Sequence, residues 1–139
     1  MQPTSAAEPV VIFISEIIMS DIQKIKKNLH KREEIKRQAR LKRFDAATSD
    51  FSTIVQMIIN RYSPEKIVQW GSLLVSEQFD ENSDIDIAIE GIPDAIRYFA
   101  LLGDAMELTR FPLDIVQLEK IEPEFAELIL SKGKIIYES

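Results

Sequence analysis

The stretch from Gly71 to Asp86, GSLLVSEQFDENSDID, decides how the rest of the chain is read. Upstream of it lies Ile67-Val68-Gln69-Trp70, a short apolar run bounded by turn residues and therefore a buried strand. Downstream, Asp86, Ala88 and Glu90 alternate with Ile85, Ile87 and Ile89, the period of a strand with one apolar face. Asp84 and Asp86 then project from the same side, about 6.6 Å apart along the strand. Both carboxylates can lean onto one cation, and without one they repel. Gly71-Ser72 marks a turn at which a helix can begin, offering backbone N–H groups and a hydroxyl to an anion such as a phosphate. The loop from Ser72 to Asp84 is long enough to return the chain so that the second strand pairs with the first.

An Asp-x-Asp pair is weak evidence by itself, because two solvated acids at a strand end look the same in a sequence. A third acid strengthens it. Asp114 sits in Phe111–Leu118 (FPLDIVQL), a segment apolar enough to read as an interior strand, where an unpartnered aspartate is expensive. Three converging carboxylates suit a hard cation, and magnesium is the one that leaves coordination positions to a substrate's phosphates. The chain has no cysteine and a single histidine, so any metal is held by oxygen or by His30. With no second His or Cys to build a nitrogen-rich site, and with bases on both sides, His30 reads as a solvated side chain.

At 139 residues and 45% hydrophobic, the chain suits one compact domain with an appendage. Val10–Met19, its longest apolar run, is short for a bilayer and carries Glu16. It also lacks the preceding positive residues and the small-residue cleavage site of a signal peptide, which makes cytoplasmic residence the expectation. Charge is unevenly distributed: Ser20–Arg43 holds ten of the seventeen Lys and Arg residues against three acids, so a basic segment precedes a strongly acidic remainder. That segment reads either as a solvated face, as a docking arm for an acidic partner, or as a nucleic-acid contact.

In chain order, Met1–Pro9 reads as a loose leader and Val10–Ile18 as either a strand or the first turns of a helix, with Met19 marking an alternative start. Ser20, a good N-cap, opens a helix with Ile22, Ile25 and Leu29 on one face, exposed over most of its circumference from Lys31 to Arg43. A second, amphipathic helix covers Asp45–Asn60 (Phe51, Ile54, Val55, Ile58, Ile59) and ends at Ser63-Pro64. After the Gly-Ser turn, a short helix is expected near Leu73–Val75. Gly91-Ile92-Pro93 closes the Asp-bearing strand, and Pro93 suits the first turn of a helix with Ile96, Phe99, Ala100 and Leu102 facing inward. A helix over Pro123–Ser131 with Phe125, Leu128 and Ile129 on its apolar face, a stop at Gly133 and a last strand at Lys134–Glu138 complete the chain. Trp70 reads as core beside the Gly-Ser turn, with stacking on a nucleobase as its alternative.

Taken as an ordered set, Gly71-Ser72, Ser83-Asp84-Ile85-Asp86, Leu113-Asp114-Ile115-Val116 and the closing Gly133-Lys134-Ile135-Ile136-Tyr137-Glu138 resemble the minimal nucleotidyltransferases of the polymerase-β superfamily, the antitoxin partners of HEPN-domain ribonuclease toxins. The resemblance covers about residues 44–139, which divides the chain into a leader and basic helical extension (1–43) and a nucleotidyltransferase domain (44–139). It implies an α/β (α+β) fold in which a mixed β-sheet is flanked by helices on one side. It also implies transfer of a nucleoside monophosphate, AMP from ATP, to a hydroxyl such as a tyrosine of the toxin. Asp84, Asp86 and Asp114 would hold Mg2+ or Mn2+, Asp114 would assist in deprotonating the acceptor, and Gly71, Ser72 and Ser83 would contact the nucleotide. The family's arginine-containing segment after Gly-Ser is replaced here by Leu73-Leu74-Val75-Ser76. The alternatives are a non-catalytic antitoxin that neutralises its partner by occlusion and a nucleic-acid-binding regulator; homo-oligomerisation is left open.

Overall fold

Ile67–Trp70 and the alternating Ile85–Glu90 run form the middle of a four-stranded sheet in the computed structural model, which describes residues 8–139. The chain runs α1 (Glu8–Tyr62), β1 (Lys66–Trp70), two single 3-10 turns (Ser72–Leu74 and Ser76–Gln78), β2 (Ile85–Glu90), α2 (Ala95–Glu107), β3 (Leu113–Gln117), α3 (Pro123–Lys132) and β4 (Lys134–Glu138). The strand order is β3-β2-β1-β4, with β2 and β3 parallel and the other pairs antiparallel. The mixed α+β architecture that the resemblance implies is the one observed. The leader expected at Met1–Pro9 lies outside the described residues through Ala7, and Glu8 already opens α1. The segment up to Ala39 and Arg40–Ser139 are separate compact units.

Two faces of the sheet are covered, not the one that the resemblance implies. On the first, Ile67, Ile85, Ile87, Ile89 and Ile115 meet Ala47, Phe51, Ile54, Val55 and Ile58 of α1 and Leu101 and Ala105 of α2. The strand pattern and the helical 3-4 spacing are complementary, so each isoleucine is removed from water, and burial of one such side chain contributes roughly 1.5–3 kcal/mol. On the second face Val68 and Ala88 pack with Leu118 and with Ile129 of α3, a smaller cluster. The β1–α3 junction is tight because a Cβ at Gly133 would stand 2.6 Å from the Ile129 carbonyl oxygen and 2.8 Å from that of Gln69.

Several local expectations yield to tertiary context. The ambiguous Val10–Ile18 run is helical, and no break separates the two expected N-terminal helices: α1 is continuous to Tyr62. It stops at Ser63, which takes φ 48 before buried Pro64; proline disfavours a helical predecessor and has no N–H to donate to a continuing helix. Pro93 stands outside α2; Asp94 is the N-cap, its carboxylate accepting from the Arg97 N–H. The inward face of α2 is Leu101 and Ala105, with Tyr98 and Leu102 partly buried, whereas Ile96 and Phe99 are 81% and 66% exposed. Of the residues assigned to the apolar face of α3, only Ile129 is buried. Among the described residues no helix is long and apolar enough to cross a membrane.

Candidate active site

β1 ends at Trp70, and Gly71 turns the chain with φ 81 and ψ −161, a backbone state open to glycine and strained for other residues. A side chain there would also meet its neighbour across the sheet: an added Cβ would lie 2.1 Å from Oδ2 of Asp86. The main chain of the turn is therefore pressed against the Asp86 carboxylate. Leu73, 2% exposed, pins the 3-10 turn that follows.

The loop into β2 is anchored by Phe79, fully buried and in edge contact with Phe44 and Phe111. Arg43 of α1 donates to the carbonyls of Asp80 and Glu81, each at 3.2 Å, and its guanidinium lies over the Phe111 ring. Sequence reasoning saw Arg43 only as the last base of a charged run; nothing local signals its link to a loop 37 residues away. The Ser83 hydroxyl accepts from the Asp80 N–H and sits within donating reach of the Asp80 carboxylate, so it is engaged in shaping the loop that delivers Asp84.

In β2, Asp86 stands opposite Trp70 of β1 on one side and Asp114 of β3 on the other, in direct register with both. Asp84 precedes the strand by one residue and so shares the face of Asp86. This is the second face, the one that carries α3, and Trp70 there meets Phe125 edge-on at 5.5 Å. The indole Nε1–H of Trp70 is buried and has no hydrogen-bond partner. One expectation fails: Asp114 is not interior. It lies on β3, which among the described residues is an edge strand, and it is exposed.

Electrostatics bind the three acids together. Burial, then the charges of Asp114 and Asp84, push the Asp86 carboxyl up to about 7. Asp114 is raised as well, first by the partial burial of its carboxyl and then by Asp84. Among the described residues no hydrogen bond offsets either shift, and the ion pairs there, Arg37–Glu34, Arg61–Asp104 and Lys66–Glu90, lie elsewhere. As placed, no three His, Asp or Glu side chains among the described residues meet at a common metal-binding point. The donor set nevertheless fits a hard divalent cation: all ligating atoms are carboxylate oxygens, and the missing element is positive charge. Asp84 and Asp86 are half-buried and Asp114 is exposed. A groove of about 540 Å³ lined by Arg43, Asp50, Thr109, Arg110 and Phe111 contains none of the three aspartates.

Tyr98, on α2, is also raised, by burial and then by Asp114, but its hydroxyl donates to the Ile115 carbonyl at 2.6 Å and holds α2 against β3. His30 is exposed on α1.

Residues 52–139 match the family model described as Polymerase beta, Nucleotidyltransferase. The chain belongs to this family. Its fold recurs in a toxin–antitoxin MntA–HepT crystal structure, with a TM-score of 0.51 at 19% identity over 66% of this chain and 73% of that one. A toxin–antitoxin structure with AMP-PNP gives 0.52 at 21% identity over 63% and 73%. A tri-AMPylated Shewanella oneidensis HEPN toxin in complex with MNT antitoxin gives 0.50 at 19% over 67% and 73%. At these identities the likeness is one of fold. No curated protein matches the chain in sequence. In this chain Asp86 and Asp114 stand on two neighbouring parallel strands, β2 and β3.

Proposed function

We propose that this nucleotidyltransferase moves AMP from ATP to a hydroxyl, that of a tyrosine on a HEPN-type ribonuclease toxin, and so acts in the cytoplasm as the antitoxin of that pair. The observation that carries the reading is the direct register of Asp86 with Asp114, two residues beyond Asp84 and against the Gly71 main chain. Family membership supports the reaction class, and the shared fold of a toxin–antitoxin structure with AMP-PNP and of a complex with a tri-AMPylated HEPN toxin supports ATP as the donor and a toxin as the acceptor.

Asp84, Asp86 and Asp114 would hold Mg2+ or Mn2+. A divalent ion bound there supplies positive charge to the triphosphate and lowers the pKa of the attacking hydroxyl. The chain's own part is positioning. Gly71 lets the turn approach the Asp86 carboxylate without a Cβ, and Ser72, which opens the 3-10 turn after it, would offer its hydroxyl to the phosphates. Ser83 shapes the loop that sets Asp84 in place. Asp114, the exposed member, faces the side from which an acceptor can arrive, and accepts or relays its proton. The acceptor oxygen forms a bond to the α-phosphorus, the bond from that phosphorus to the bridging oxygen breaks, and pyrophosphate leaves with the electron pair.

A second reading is inhibition by occlusion alone, favoured by the absence of any cationic side chain from Ser72 to Ser76, where a phosphate contact is wanted. Intact-mass spectrometry of the partner toxin after incubation with the chain and Mg-ATP separates the two. Transfer adds one or more AMP masses and fails with Asp114→Ala. A partner that is inhibited but unmodified, equally by wild type and Asp114→Ala, leaves only occlusion.

A further inference from the structure

In α1 before Ala39, Ile18, Ile22, Ile25 and Leu29 are 51%, 38%, 57% and 54% exposed on a helix whose stability needs a partner for its apolar stripe. Their spacing of four, three and four residues is that of alternating d and a positions in a heptad, and it extends back through Ser15 to Val11. The seam is about 27 Å long and ends where Arg32 and Lys36 take the next d and a positions.

We propose that Val11–Leu29 is a self-association helix through which copies of this chain assemble into a parallel, in-register coiled coil of three or four strands. A second copy is the occupant because the flanking positions match themselves. In a parallel coil, each g residue faces the e residue five places on in its neighbour, which pairs Ile14 with Met19, Asp21 with Lys26 and Asn28 with Glu33: apolar with apolar, acid with base, polar with acid. Antiparallel packing sets e against e and g against g, and Asp21 no longer faces Lys26. Strand number follows from two features. Isoleucine at d (Ile18 and Ile25) with isoleucine or leucine at a (Ile22 and Leu29) disfavours dimers, and exposed Ile12, Ile14 and Met19 at e and g widen the seam beyond what one neighbour covers.

The test is the full chain under light scattering over a range of concentrations. The expected mass is three to four times that of the 15.9 kDa chain. Ile18→Glu with Ile25→Glu returns it to one chain mass. Asp21→Lys alone weakens assembly, and Asp21→Lys with Lys26→Asp restores it, which nonspecific apolar association would not do. Because the sequence has no cysteine, Leu29→Cys places one thiol per chain, and oxidation then links identical positions of parallel helices. A monomer at every concentration overturns the proposal, as does an oligomer indifferent to the Glu pair, a charge swap without rescue, or Leu29→Cys without a crosslink. A monomer that instead co-sediments with anionic lipid vesicles assigns the helix to a membrane surface and equally overturns it.

Discussion

Gly71→Ala probes the contact on which the candidate site rests. At φ +81 and ψ −161, a region essentially reserved for glycine, a side chain costs about 1–3 kcal/mol in backbone strain alone; here the new Cβ would also stand 2.1 Å from Oδ2 and 3.1 Å from Cβ of Asp86. The carboxylate can rotate away, but its Cβ is held by the pairing of β2 with β1, so the turn and the strand must each give by a few tenths of an ångström. With every kcal/mol worth roughly 4–8 °C in a domain of this size, the melting temperature is expected to fall by roughly 10 °C with the fold intact. The Asp86 side chain is displaced in the process, so stabilisation by Mg-ATP, which acts only through binding to the folded state, should disappear. Gly91→Ala is the comparator. At φ +98 its Cβ would meet the Glu65 main-chain nitrogen at 2.7 Å, which no rotamer change relieves, so it should lower the melting temperature further than Gly71→Ala. It lies at the opposite end of β2 from Asp86, so the Mg-ATP shift should survive. Differential scanning fluorimetry with and without Mg-ATP reads both quantities. A Gly71→Ala protein that retains the wild-type nucleotide shift would refute the argument that this turn and Asp86 act as one site.

The remaining predictions concern charge, helix propensity and the loop. Because the folded Asp86 carboxyl is raised from 3.8 to about 7, the folded state holds its proton more tightly, and the stability of the metal-free protein should decline as pH rises through that window and then level. Asp86→Asn should flatten this dependence and raise the melting temperature at about pH 8; an unchanged slope in thermal melts would remove Asp86 as its source. Gly103→Ala, in α2 with nothing within 4 Å of the new Cβ, should stabilise by about 0.5–1 kcal/mol in urea unfolding, and no gain would contradict the helix assignment there. Arg43→Ala removes two carbonyl contacts and a cation–π contact and should cost roughly 1–2 kcal/mol. Amide exchange at Ser83, whose N–H donates to the Asp80 carbonyl, should accelerate; equal protection in the variant would show that Arg43 does not hold the loop.

Elements whose signals are local were legible. Lys134–Glu138 was read end to end, and Ile67–Trp70 differs from β1 by one residue, because alternation and the Gly and Pro punctuation around it act within a few positions. The apolar spacing over Phe51–Ile58 likewise identified the core face of α1, since 3.6-residue periodicity is a property of the sequence itself. The face of α2 was misread for a related reason: Ile96 and Phe99 are as apolar as Leu101, and only the position of β3 and α1 decides which of them is covered.

For the site, the sequence by itself determined that Asp84 and Asp86 share a strand face and that a glycine precedes them at a turn. Only the tertiary structure decided that Asp114 lies in register with Asp86, that it does so on an exposed edge, and that Gly71 touches the Asp86 carboxylate. Periodicity along a chain dictates which face a side chain takes; which strand becomes the neighbour, in what register and with which edge left open, depends on pairing between segments separated by a whole helix, where no local pattern carries the information.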